Sequence, residues 1–83
     1  MSAAPFDVPI RDGSIRLGQF LKLANLVESG AAAKPAVQQG LVRVNGEVET
    51  RRGRQLHLGD VVELGGVAAR VADETDAPDD LPW

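Results

Sequence analysis

The chain has 83 residues, 43% of them hydrophobic and 25% charged, with a formal net charge of −3, one histidine and no cysteine. That length makes one domain with a modest core, the composition is that of a folding protein rather than a disordered one, and the missing cysteines exclude a disulfide framework or a thiolate metal site. A single histidine is too little for a histidine metal centre, no cofactor is implied, and without a signal-like leader or an apolar run of ~20 residues the expectation is a cytoplasmic protein with no membrane contact.

The charge is unevenly placed. All nine Lys and Arg lie between Arg11 and Arg70, against six acids (Asp12, Glu28, Glu47, Glu49, Asp60, Glu63), so this segment carries a surplus of three positive charges. Asp7 stands before it, and five acids follow in the C-terminal stretch "ADETDAPDDLPW". Its two prolines and few large apolar groups predict a flexible acidic tail over residues 72–83.

At the start of the chain, Val8 to Ile10 predicts a short strand and Asp12-Gly13 a turn, within a lead-in over residues 1–14. From Leu17, apolar residues at Leu17, Phe20, Leu21 and Ala24 follow the i, i+3, i+4, i+7 spacing of one buried helix face, leaving Gly18, Gln19 and Lys22 outward. Ser29 is a natural N-cap for a second helix, with Ala33, Ala36 and Val37 inward, Lys34 and Gln38 outward, and Gly40 at its end. Pro35 removes an amide donor and crowds the preceding turn, which predicts a late start or a kink.

After Gly40 the period changes to two. Leu41, Val42 and Val44 lead into Asn45-Gly46, a strong hairpin signal, and Val48 follows, with Arg43, Glu47 and Glu49 as polar alternates. On this reading Val42, Val44 and Val48 anchor the hairpin to the core. "QLHLGDVVELGGVAARV" is strand material broken at Gly59-Asp60 and at Gly65-Gly66, pairing Val61 to Leu64 with Val67 to Val71. The fold class is α+β: two short helices packed on a small antiparallel sheet.

Catalytic constellations are scarce. His57, between Leu56 and Leu58 on an expected strand, reads as a surface histidine rather than a general base, and neither Ser14 nor Ser29 has a base nearby in sequence. Gly65-Gly66 makes a turn, since no helix follows it to present phosphate-binding amides. No enzyme activity is expected.

The basic groups remain. Lys22 and Lys34 lie on the exposed faces of the two helices, Arg43 on the polar face of the strand entering the turn, and "RRGR" just beyond its partner. Gly53 lets the chain turn sharply, so Arg51, Arg52 and Arg54 need not splay as along a straight strand. Guanidinium groups suit phosphates because the planar fork donates paired hydrogen bonds and stays charged at every relevant pH. Two readings stand at this level: a phosphate-binding face, or an ordinary solvated face whose arginines pair with Glu47 and Glu49. Aromatic residues are limited to Phe6, Phe20 and Trp83, so nucleic acid would be read through backbone and shape more than through stacked bases.

The segment from Ile15 to Leu64, above all "LGQFLK", the helix-two lysine followed by "GLVRVNG", and "RRGRQLHLGDVV", resembles the RNA-binding domain named after small-subunit ribosomal protein S4, in its single-domain bacterial form. The resemblance implies the alpha-L RNA-binding fold over residues 15–71, and a groove between helix two and the strand-turn region that grips structured RNA. By position it makes Lys22 and Lys34 helix-borne phosphate contacts, Arg43, Asn45 and Gly46 a strand-turn lip, and Arg51, Arg52 and Arg54 a basic loop, with Arg16 and Gln19 as weaker candidates. The implied partner is ribosomal or transfer RNA, with a ribosomal particle as a further possibility, bound by a monomer without catalysis. The alternative is a protein-interaction adaptor that turns the same patch to an acidic partner.

Overall fold

The computed structural model of the chain describes residues 4–74; the expected acidic tail falls, from residue 75 onward, outside them. The elements in chain order are β1 (Phe6–Ile10), β2 (Ser14–Arg16), α1 (Leu17–Leu23), α2 (Gly30–Gln38), β3 (Val42–Val44), β4 (Glu47–Val48), β5 (Gln55–His57), β6 (Val61–Leu64) and β7 (Val67–Asp73). Strand β7 thus continues two residues beyond the expected Val71.

Both helices form where the 3.6-residue spacing places them. Helix α1 buries Leu17, Phe20 and Leu21. It ends in paired backbone bonds, Asn25 N–H to the Lys22 carbonyl at 3.0 Å and Leu26 N–H to the Leu21 carbonyl at 2.9 Å, with Asn25 in the left-handed region at φ 62°, one of the few conformations that reverses a helix end without losing its last carbonyls. Helix α2 starts at Gly30, directly after Ser29, whose hydroxyl oxygen accepts the Ala32 N–H at 3.3 Å. The late start expected from Pro35 does not occur. The fixed φ of proline is itself helical, and the one bond it cannot make would go to the carbonyl of Ala31, an exposed residue of the first turn.

The strands form a five-stranded sheet in the order β1-β7-β6-β3-β4 and a separate two-stranded sheet, β2-β5. Neighbours in the larger sheet are antiparallel except for β1, which runs parallel to β7 with Val8 opposite Val71. The expected antiparallel sheet is therefore corrected to a mixed one. Strand alternation marks which side chains go inward, but the neighbour and direction of β1 depend on β7, some sixty residues later, once both helices and the hairpin are in place.

A second correction concerns the hairpin. Asn45 and Gly46 both have positive φ, 53° and 86°, the two-residue turn whose twist matches that of paired strands. Such a turn puts Val44 opposite Glu47 and Arg43 opposite Val48, and opposed residues of an antiparallel pair share a face. Val48 consequently joins Arg43 on the outer face, 53% exposed, while Val42 and Val44 are fully buried.

The core lies between the helices and the inner sheet faces: Leu17, Phe20, Leu21, Ala33, Val37, Val42, Val44, Leu56, Val62, Ala69 and Val71, closed at one side by Val8 and Ile10 of β1. Among the described residues one charged group is buried with it, Glu49, at 7% exposure. Its carboxylate accepts the Arg54 Nη1 at 2.9 Å, the Arg51 backbone N–H at 3.0 Å and the Arg51 Nε at 3.2 Å. These bonds, that from Arg54 foremost, outweigh burial and hold its pKa at about 2, below the ordinary 4.5. A lowered folded pKa means that ionised Glu49 stabilises the fold fully above pH 4.5 and that this contribution is lost as pH falls towards 2. The urea midpoint is expected to hold down to about pH 5 and to drop below it. Glu49→Gln should cost about 1–2 kcal/mol at pH 7 and flatten the acid slope; equally steep slopes in both proteins would show that Glu49 is not its source.

Candidate nucleic-acid interface

Helix α1 has no side-chain cap at its N-terminus, and its first amides find partners far along the chain. Leu17 N–H donates to the Arg54 carbonyl at 2.8 Å and Gly18 N–H to the Arg52 carbonyl at 3.0 Å. The "RRGR" segment is thereby fastened across the start of the helix. It is a tight turn, closed by the Arg54 N–H on the Arg51 carbonyl at 3.2 Å. The turn sorts the three arginines: Arg51 and Arg54, at its two ends, reach back to Glu49, whereas Arg52 lies across α1.

Gly18 makes that position available. A Cβ there would stand 2.6 Å from the Arg52 Cγ, closer than real Cβ contacts come, and 3.2 Å from its Cδ, so the Arg52 stem rests on the helix where glycine leaves room and would have to shift if a side chain stood there.

Around this contact a cleft of about 450 Å³ opens, lined by Arg16, Gly18, Gln19, Lys22, Gly30, Arg52 and Gly53. Its walls hold three cations and no carboxylate, and Arg16, Lys22 and Arg52 form no ion pair with a described residue. Because the first amides of α1 are already bonded, the positive potential of the cleft comes from these side chains. Lys34, four residues beyond Gly30, shares that residue's side of α2 and stands outside the lining.

The other expected site residues go elsewhere. Arg43 lies on the outer face of β3, opposite Glu63 of β6, in a smaller depression of about 190 Å³ with Leu41 and the Gly65-Gly66 turn. Asn45 ties two turns together: its Nδ2 donates to Asp60 at 3.1 Å and its Oδ1 accepts the Val61 N–H at 2.9 Å. Gly46 completes the turn. Burial pushes the Asp60 carboxyl up, but the His57 N–H and the Asn45 amide bring its pKa below the ordinary value, so this tie stays ionised at neutral pH. The expected set thus divides: Arg16, Gln19, Lys22 and Arg52 come together, Arg51 and Arg54 brace the loop, and Arg43, Asn45 and Gly46 sit apart.

Sequence reasoning passed over Gly18 and Glu49. A glycine inside an amphipathic helix costs about 1 kcal/mol against alanine, which is the available sign of a close approach. Glu49 gave no such sign, since an acid beside arginines reads as a surface pair. Among the described residues no helix is long and apolar enough to cross a membrane, and no group of three or more His, Asp or Glu side chains is placed to hold a metal ion.

The chain resembles known proteins in sequence and in fold. The family model described as "S4 domain" matches residues 8–72. A Bacillus subtilis protein named "Probable ribosome maturation protein RlbA" is 54% identical over 52 residues, covering 63% of this chain and 73% of that one. YbcJ of Escherichia coli is 40% identical over 57 residues, 69% of this chain and 81% of its own length. The solution structure of YbcJ, described as revealing an αL motif involved in RNA binding, superimposes with a TM-score of 0.58 at 35% identity, covering 87% of this chain and 90% of that one. The ribosomal protein S4e of Thermoplasma acidophilum superimposes with a TM-score of 0.56 at 25% identity, covering 72% of this chain and 32% of that one. With its α+β fold, its two helices and a family match over most of its length, the chain belongs to the S4 domain family.

Proposed function

We propose that the protein is a non-catalytic RNA-binding module that docks on structured RNA, with ribosomal RNA the leading target and transfer RNA the second. The observation that carries this reading is the cleft in which Arg16, Lys22 and Arg52 meet with no carboxylate among the lining residues. Fixed cations around a concave surface match a folded phosphate backbone, and the arginine fork adds paired hydrogen bonds to charge. The Bacillus relative's name, with ribosome maturation in it, and the RNA-binding motif described for the Escherichia coli relative support the same reading. The centre of the grip lies on α1 and the arginine turn, with the start of α2 as its far wall and Lys34 at its margin. A monomer working in the cytoplasm, on a ribosomal particle, fits the function.

Three lining cations and Lys34 allow roughly three to four phosphate contacts, so log affinity for ribosomal RNA should fall with log salt at a slope of about −2 to −4. In a filter-binding titration Arg52→Ala should make that slope shallower by about one, while Arg43→Ala should leave it in place. Affinity that does not respond to salt would sink the phosphate reading, and a larger effect at Arg43 would move the site to the outer face of the sheet.

Gly18→Ala separates binding from folding. Alanine recovers up to about 1 kcal/mol of helix propensity while its methyl displaces Arg52. The variant is expected to melt at or near the wild-type temperature and to lose as much RNA affinity as Arg52→Ala. Unchanged affinity would show that Arg52 binds equally well from another position.

A further inference from the structure

A second depression, about 470 Å³ in volume, adjoins the basic cleft on the far side of Gln19 and Lys22, which line both. Its character is different. The first carries three cations and no anion, whereas the second balances Arg11 and Lys22 against Asp12 and Glu74, with Arg11 and Glu74 facing each other at 3.6 Å. An RNA phosphate gains nothing from a neutral site edged by carboxylates, while an uncharged group is not repelled by it.

Its lining combines apolar and hydrogen-bonding surface. Ile15 of β2 is half-buried, and Leu23 on the last turn of α1 is 53% exposed, so the two offer apolar contact in a depression that Gln19 and Lys22 also line. Ser14 and Asp12 also line it, the Ser14 hydroxyl oxygen accepting the Gln55 side-chain amide at 2.9 Å. Pockets that combine apolar walls with a few placed polar groups take small molecules or single groups of larger ones.

We propose that this depression is a nucleobase site: it receives a single unpaired base of the RNA whose phosphate is held at Lys22 in the adjoining cleft. This rests on the RNA-binding reading and adds to it the local form of the ligand, a bulged or loop nucleotide rather than a continuous duplex. Unpaired bases are what proteins read in RNA, because the deep groove of the A-form helix hides base edges. Leu23 and Ile15 cover the base face. The Asp12 carboxylate in the lining is an acceptor, which favours the bases that carry an exocyclic amino group, adenine, cytosine and guanine, over uracil, whose single N3–H donor stands between two carbonyl oxygens.

The test uses the full chain and four RNA hairpins that differ only in one bulged nucleotide, A, C, G or U, with the same hairpin fully paired as reference, titrated by fluorescence anisotropy at one salt concentration. The A, C and G bulges are expected to bind roughly tenfold tighter than the paired hairpin and the U bulge less so. Leu23→Ala should narrow that ratio, and Asp12→Asn should reduce the difference between U and the other bases. Salt-dependent binding that is equal for bulged and paired hairpins would overturn the nucleobase site and leave the phosphate reading standing. A bulge preference that both variants keep would place the base elsewhere and overturn the assignment, and the absence of salt-dependent binding to any hairpin would overturn both readings.

Discussion

The joining of α1 to the arginine turn organises everything around the cleft. A helix that begins without a side-chain cap leaves amides to be satisfied, and buried or crowded amides are costly to leave unpaired. Here the Arg52 and Arg54 carbonyls accept them. Two consequences follow from this pair of bonds. The turn is fixed against the helix at two successive positions, which leaves its backbone little freedom, and the Arg52 side chain is laid along the one helix position that lacks a Cβ. A cation placed in this way has lost much of its rotamer freedom before any ligand arrives, so less entropy is lost on binding.

Glu49 makes the other half of that arrangement. Buried carboxylates are tolerated where hydrogen bonds repay their desolvation, and this one accepts three hydrogen bonds from two arginines. The alternatives left open by the sequence, phosphate face or internally paired face, turn out to be divided among adjacent residues rather than exclusive. Arg51 and Arg54 pair internally and hold the turn; Arg52 remains for a ligand. Three arginines of one short segment therefore do two jobs, and the division comes from which way each side chain leaves a tight turn.

Much of this fold is legible in the residues themselves. The helix spacing at Leu17, Phe20 and Leu21, the Ser29 cap and the Asn45-Gly46 turn are local signals, and each leads to the element found. The position of Val48 was equally legible, because a two-residue turn dictates that it faces the same way as Arg43; counting alternation along one strand, without carrying it across the turn, put it in the core. The parallel β1–β7 pair and the β2–β5 pair were not legible. They join residues far apart in the chain, and no local preference encodes a distant partner. At the site, residue types pointed to the basic turn, but which arginine is free depends on a buried carboxylate and a missing Cβ that only the tertiary structure brings into contact with them.

The pattern of ion pairs explains how a chain of net charge −3 presents a cationic cleft. Carboxylates lie beside Arg11, Arg51, Arg54 and Arg70, paired with Glu74, Glu49, Glu49 and Asp7. The exposed pairs, Arg11–Glu74 and Arg70–Asp7, add little stability, so their main effect is on the field: each acid offsets a cation locally, within the ~8 Å screening length at physiological salt, and Glu49 offsets one of the two arginines it braces. Arg16, Lys22 and Arg52 form no ion pair with a described residue and share one concave surface. Acids more than a screening length away contribute little there, so the cations of the lining, rather than the net charge of the chain, set the field a phosphate meets. The total charge is then a poor guide to partners, and the placing of carboxylates is the better one: where they are absent, between α1 and the arginine turn, an anion has its place.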